Sequence, residues 1–176
     1  MYETMPIMKT IFFCAQTLNA KIAHNASEFV DWTSAEDKKY FREETRKCGV
    51  VVMGNATYKT MERPMPGRLN VVMTRSPDAS KNQEGALEFT DKPLLQILQD
   101  LEKRGFPSVA VIGGAQIFTQ FLESGLCDEL AITIEPKIFG SGINIFNDFT
   151  RDVSLKLLEV RKLNEDAVLL RYKIVS

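Results

Sequence analysis

The sequence predicts an α/β fold. A single domain should form on a mostly parallel central sheet of about eight strands, with an antiparallel C-terminal edge. Three observations predict it. Apolar runs recur in "KTIFFCA", "GVVVMG", "LNVVMT", "ALEF", "SVAVIG", "DELAITIEP", "LKLLEVRKL" and "AVLLRYKIV". Several are continuous rather than alternating, which is the pattern of strands buried on both faces under helices. Helical patterns lie between the runs, and strand–helix alternation produces parallel pairing. The last two long runs are joined by "KLNEDAV" alone, where Asn164 to Asp166 reads as a hairpin turn. That pair should be antiparallel.

In chain order, residues 1–8 read as a short N-terminal extension and 9–176 as the domain. Gln16 to Thr33 is the longest irregular stretch, and a loop that long inside a compact domain is usually functional. "SAEDKKYFREETRKC" sets Asp37, Tyr40, Phe41, Glu44 and Cys48 on one helical stripe. Two strands follow, and each ends in small or polar residues: "VVVM" opens into "GNAT", and "NVVM" into "TR". "KPLLQILQDLEKRG" carries Leu94, Leu95, Leu98 and Leu101 at helical spacing and stops at Gly105. "GAQIFTQFLESG" repeats that design and stops at Gly125. No internal repeat, low-complexity linker or domain boundary interrupts the chain.

Composition narrows the function. A chain of 176 residues, 44% apolar and 26% charged, suits one soluble globular domain. Its net charge of −1 argues against nucleic-acid binding, which needs a basic stripe to displace counterions. No apolar run approaches the ~20 residues of a membrane span, and "IFFCA" is too short for a signal peptide. Cys14, Cys48 and Cys127 form no CxxC and read as buried free thiols in a reducing cytoplasm. His24, the one histidine, lies in the long loop and reads as exposed. No catalytic triad is possible without it, and no His/Cys group has metal-ligand spacing. Redox chemistry carried by a cofactor fits a chain so poor in nucleophile–base pairs.

Three stretches can carry that chemistry. In "VIGGAQIF", Gly113 and Gly114 stand between a strand and a helix. They either make a tight turn or let a phosphate approach the helix N-terminus. "MGNATY" repeats the pattern at Gly54, Asn55 and Thr57. Ligands of α/β sheets bind at the carboxyl ends of strands, so two such turns can grip one dinucleotide. Arg75 ends the next strand and reads either as a phosphate ligand or as a solvated arginine. In "WTSAED", Ser34 and Asp37 have capping-box spacing. Yet Asp37 shares a face with Phe41, and a buried carboxylate is costly without a partner. A ligand with adjacent N–H donors is such a partner, and a carboxyl group in that setting should titrate high. Trp32 either walls a ligand site or plugs the core.

The ordered set "W-x4-D-x3-F", "VVMGNATY", "RPMPGRLNVVMTR", "VIGGAQIF" and "ELAIT" resembles the dihydrofolate reductase superfamily from about Lys9 to Val175. That superfamily includes the reductase domain of the bifunctional deaminase-reductase of riboflavin biosynthesis. The first half looks more like dihydrofolate reductase and the second half more like the riboflavin-pathway enzyme. The resemblance implies NADPH as hydride donor and a small heterocyclic substrate, a pterin or folate or a ribosylaminopyrimidine. It implies that Asp37 is the catalytic acidic residue that grips the substrate ring, with the proton arriving by water. Ala15, Trp32, Phe41, Arg68 and Thr133 would bind substrate. Phe41 would pack on it, Arg68 would take the folate carboxylate or a phosphate, and Thr133 would hydrogen-bond Asp37.

For the cofactor, the resemblance implies Ala15, Ile22, Gly54, Asn55, Thr57, Thr74, Arg75, Ile112, Gly113, Gly114, Ala115, Gln116 and Ile117. Ala15 and Ile22 lie near the nicotinamide and Arg75 near the 2′-phosphate. The riboflavin-type likeness also implies a homodimer. Asn55 and Ala56 replace residues that are basic in the family pattern, Ala20 and Ala23 replace loop glycines, and "FVDW" replaces "LPW" or "MPW". These departures leave the substrate open.

Overall fold

The structure, a computed structural model, describes residues 8–175. Met1 to Ile7, most of the expected extension, lie outside the described residues. Met8, expected as its last residue, is 6% exposed and packs into the core instead.

The strands and α-helices of the described residues are β1 (Thr10–Thr17), β2 (Lys21–Ala23), α1 (Ala35–Cys48), β3 (Val50–Gly54), α2 (Asn55–Met61), β4 (Leu69–Met73), β5 (Leu87–Thr90), α3 (Leu94–Lys103), β6 (Val109–Val111), α4 (Ala115–Glu123), β7 (Glu129–Glu135), β8 (Ile143–Asn144), β9 (Ser154–Lys162) and β10 (Val168–Val175). Eight strands form one sheet in the order β5-β4-β3-β6-β1-β7-β10-β9. The pairs from β5 through β7 are parallel, and β10 pairs antiparallel with both β7 and β9. The α/β architecture and the antiparallel edge read from the sequence are present.

Why the central runs are continuous is visible in β3. Successive strand residues point to opposite faces. Val50 and Val52 enter one buried cluster with Phe12, Leu98, Phe118 and Phe121, under α3 and α4. Val51 and Met53 enter the other with Phe13, Tyr40 and Cys48, under α1. Each face is covered, so each position is apolar.

Helix α1 is closed at both ends. The Ser34 hydroxyl caps it by accepting from the Asp37 N–H at 3.3 Å, and Gly49 ends it at φ 76°, a conformation that favours glycine. The α3 stripe differs from expectation by one residue. Leu95 is 43% exposed, while Ile97 is 3% exposed and joins Leu98 and Leu101 in the core. A step of 100° per residue carries Leu95 off the face that Leu94 and Leu98 define.

Two further expectations are corrected. Gln16 to Thr33 is not wholly irregular. Strand β1 runs on to Thr17, and β2 pairs antiparallel with β8 from far along the chain. Ala20, at φ 61°, makes the sharp turn between β1 and β2 where glycine is the easier residue. Strand β9 is apolar but not buried: Leu155, Leu157, Leu158 and Val160 are 43%, 50%, 47% and 60% exposed. It is the sheet's outer strand, with only β10 beside it.

Candidate active site

Because β1, β3, β4 and β6 run parallel, their carboxyl ends collect along one edge of the sheet. A cavity of about 1240 Å³ opens there. That exceeds the ~300–1,000 Å³ of a typical small-ligand site and leaves room for a dinucleotide and a second ring.

One half of the cavity is built from backbone turns. Gly54, Asn55, Ala56 and Thr57 line it after β3, and Ile112, Gly114, Ala115, Gln116 and Ile117 after β6. The two turns touch: the Gly54 N–H donates to the Gly113 carbonyl at 2.8 Å. The glycines have steric reasons. A Cβ on Gly54 would lie 3.0 Å from Ile117 Cγ1, and one on Gly113, at φ 107°, would lie 3.1 Å from the Phe118 ring. The peptide between Gly113 and Gly114 is cis. Helix α4 starts at Ala115 with Gly114 as its N-cap. No side chain caps it, and its first turn holds no acidic residue. Its leading N–H groups and positive dipole end therefore suit an anionic group. Thr74 and Arg75, at the end of β4, line the same half, with Thr90 and Asp91 beside them.

The other half is built from side chains. Asp37, on the first turn of α1, is 7% exposed and lines the cavity with Phe13, Cys14, Ala15, Ile22, Thr33 and Phe41. Burial pushes its carboxyl group above the usual range. The Thr133 and Thr33 side chains work against that, the nearby Glu135 reinforces it, and Lys38 opposes it. The Cys14 thiol is driven upward by burial and then by the Asp37 charge, so it stays protonated. Its Sγ–H faces the Ala15 carbonyl at 3.3 Å.

The structure brings together Asp37, Ala15, Ile22, Phe41, Gly54, Asn55, Thr57, Thr74, Arg75, Ile112, Gly114, Ala115, Gln116 and Ile117 around one cavity. Four residues singled out in the sequence stand behind its wall. Gly113 supplies the carbonyl that joins the turns. Thr133, on β7, is 1% exposed and reaches Asp37. Trp32 packs edge-on to Phe139, 5.0 Å between ring centroids, with its buried Nε1 unpartnered. Arg68, expected to hold a substrate anion, is 6% exposed. Its guanidinium donates to the Pro66 carbonyl at 3.2 and 3.1 Å, to the Arg42 carbonyl at 3.4 Å and to the Thr45 hydroxyl. It ties the Pro64–Gly67 turn to α1 and is absent from the cavity lining. The cationic side chains that do line this half are Lys38 and Arg63. Neither stood out in the sequence, nor did Glu135. Only the position of Lys38 beside Asp37 signalled anything.

Residues 9–157 match the family described as dihydrofolate reductase. The chain belongs to the dihydrofolate reductase family. Among its relatives, "Uncharacterized protein YwjB" of Bacillus subtilis is 26% identical over 178 residues, covering 93% of this chain and 97% of that one. A solved dihydrofolate reductase from Enterococcus faecalis, complexed with NADP(H) and RAB-propyl, is 25% identical with a TM-score of 0.67. It covers 96% of this chain and 97% of that one. Acinetobacter baumannii RibD shares the fold at 20% identity with a TM-score of 0.81, over 97% of this chain and 59% of that one. The protein is thus a reductase of this family, with a fold shared by both branches that the sequence resembles.

Proposed function

We propose that this reductase transfers hydride from NADPH to a small heterocycle held by Asp37, in the manner of dihydrofolate reductase. The observation that carries the reading is the buried Asp37 carboxyl at the side-chain end of a cavity whose other end is lined by Gly54, Gly114 and the uncapped start of α4. NADPH, when bound, supplies the hydride. Gly54, Thr57 and the α4 N–H groups hold its phosphates, and Arg75 meets the 2′-phosphate as a charge-assisted partner. Ala15 and Ile22 lie against the nicotinamide end. Asp37 accepts from adjacent N–H groups of the substrate and raises the basicity of the ring, and water delivers the proton. Phe41 packs on the ring. The loop 24–33 contributes Phe29 and Val30 to the cavity rim and excludes solvent once the ligands are bound.

A second substrate reading rests on Arg68. Its guanidinium is spent on Pro66, Arg42 and Thr45, so the folate carboxylate has no ready partner there. A ribosylaminopyrimidine, with its phosphate held by Lys38 and Arg63, fits that arrangement. Comparing dihydrofolate, a tail-free dihydropterin and a ribosylaminopyrimidine phosphate as hydride acceptors separates the readings. Equal kcat/KM for the first two, with faster turnover of the third, supports the pyrimidine. Turnover confined to dihydrofolate refutes it.

Three further assignments belong to this proposal. Residues 9–176 form the catalytic domain. The free thiols of Cys14, Cys48 and Cys127 suit a reducing cytoplasm. The protein is a homodimer that covers the apolar face where Leu155, Leu157 and Val160 stand opposite Ile174, Tyr172 and Leu170.

A further inference from the structure

A second carboxylate lies behind Asp37. Glu135 ends β7, two residues after Thr133, so both side chains leave the same face of that strand. It is 2% exposed, a rare state for a glutamate without a cationic partner. One of its oxygens accepts two hydrogen bonds, from the Ser34 backbone N–H at 2.9 Å and from the Ser34 hydroxyl at 2.8 Å. That hydroxyl in turn accepts from the Asp37 N–H at 3.3 Å. Ser34 is therefore a relay. It caps α1 with its oxygen and spends its own proton on Glu135. A Ser34 rotamer that turned away from the helix would break both links at once.

From this geometry we propose that Glu135 is a positioning residue for Asp37: through Ser34 it fixes the first turn of α1, and it sets the pH range over which the reductase works. The inference rests on the reductase reading of Asp37.

The groups around the pair are few. Asp37 faces Thr133 from β7, Thr33 from the loop before α1, Lys38 from α1 itself and Cys14 from β1. Lys38 is drawn to Asp31, at 2.7 Å, which weakens its hold on Asp37. On its far side Glu135 borders a shallow groove that also contains Lys137 and Asp166. Among the described residues, no cation pairs with either of the two buried carboxyl groups. Glu135 therefore raises the cost of ionising Asp37. A neutral but isosteric residue at 135 keeps the bond to Ser34 and removes the repulsion.

The decisive experiment is carbon-detected NMR titration of the Asp37 carboxyl in the ligand-free protein, comparing wild type with Glu135→Gln. The expected result is a lower Asp37 midpoint in the variant, by about half a pH unit or more. The alkaline limb of kcat/KM should move the same way, with the NADPH Kd unchanged. An unchanged or higher Asp37 midpoint overturns the assignment of pH range. Ser34→Ala tests the positioning half. It keeps both carboxylates and the backbone N–H bond to Glu135 but removes the hydroxyl that joins Glu135 to the Asp37 N–H, and should lower kcat by about fivefold or more while melting within a few degrees of wild type. Wild-type kcat in Ser34→Ala overturns the positioning role. The titration needs no substrate, so absence of turnover in the wild type would sink the reductase reading without touching this result.

Discussion

The two halves of the cavity are made in opposite ways. The half proposed to hold the cofactor is backbone: two glycine turns joined by the Gly54 to Gly113 hydrogen bond, followed by the uncapped first turn of α4. The acid half is a side-chain network that reaches across the chain: Asp37 and Ser34 at the start of α1, Thr133 and Glu135 on β7. A backbone site tolerates any neighbour that leaves room, and it binds an anion by geometry. A side-chain network can be retuned residue by residue, and on the proposed reading it would decide which ring is held and at what pH it reacts. Cofactor use should therefore be the stable property of this site and substrate choice the adjustable one.

The difference can be tested by breaking each half separately. The largest effect is expected from Asp37→Asn, which should reduce turnover at least ~100-fold, the low end for loss of a general acid–base group. NADPH affinity, measured by quenching of protein fluorescence, should stay within about twofold of wild type. Gly54→Val does the reverse. Its Cβ would stand 3.0 Å from Ile117 Cγ1, so Ile117 must give way by a few tenths of an ångström, and the two γ-methyl groups crowd the joined turns further. NADPH binding should weaken at least ~10-fold, with a stability loss of about 1–3 kcal/mol in urea unfolding. A smaller effect is expected from Arg75→Gln, which should cost about 1.5–3 kcal/mol of NADPH binding and leave NADH binding unchanged. Equal losses for the two cofactors would remove Arg75 from the 2′-phosphate. At the sheet edge, Leu157→Lys should convert the proposed dimer to a monomer in sedimentation equilibrium without loss of secondary structure.

The smallest effect concerns stability. The folded-state value of Asp37 is raised, mainly by burial, above its ordinary 3.8. The folded protein therefore holds that proton more tightly than the unfolded chain. Stability is unaffected below the ordinary value and declines as pH rises from there to the folded-state value. Asp37→Asn escapes the decline. Its melting temperature should match wild type in acid and exceed it at neutral pH, by about 2–4 °C per kcal/mol relieved. A lower Tm for the variant at pH 7 would show that ionised Asp37 is stabilised in the fold by a partner stronger than its two threonines.

What was legible in the sequence divides along the same line. Strand ends marked by "GNAT", "GGA" and "TR" led to the cofactor half, because glycine and small residues at strand termini announce a backbone turn. Asp37 was legible because a carboxylate on an apolar helical face needs a reason. Glu135 was not: in "TIEP" it alternates as a surface glutamate does, and only the fold carries it to Ser34, 101 residues earlier. Arg68 misled for a related reason. A sequence records an arginine after a Pro-Gly turn but not the direction of its guanidinium, which the Pro66 and Arg42 carbonyls and the Thr45 hydroxyl set. Strand β9 misled because apolar content marks a strand but not its place in the sheet, and an outer strand has one neighbour instead of two.

The most direct test of the central claim is NADPH consumption by the purified protein with 7,8-dihydrofolate, followed by nicotinamide absorbance, with Asp37→Asn alongside. Steady loss of absorbance in the wild type, abolished in the variant while NADPH still binds it, is the predicted result. Consumption that proceeds equally in both proteins would contradict the account, because hydride transfer would then owe nothing to the buried carboxyl group around which the site is built.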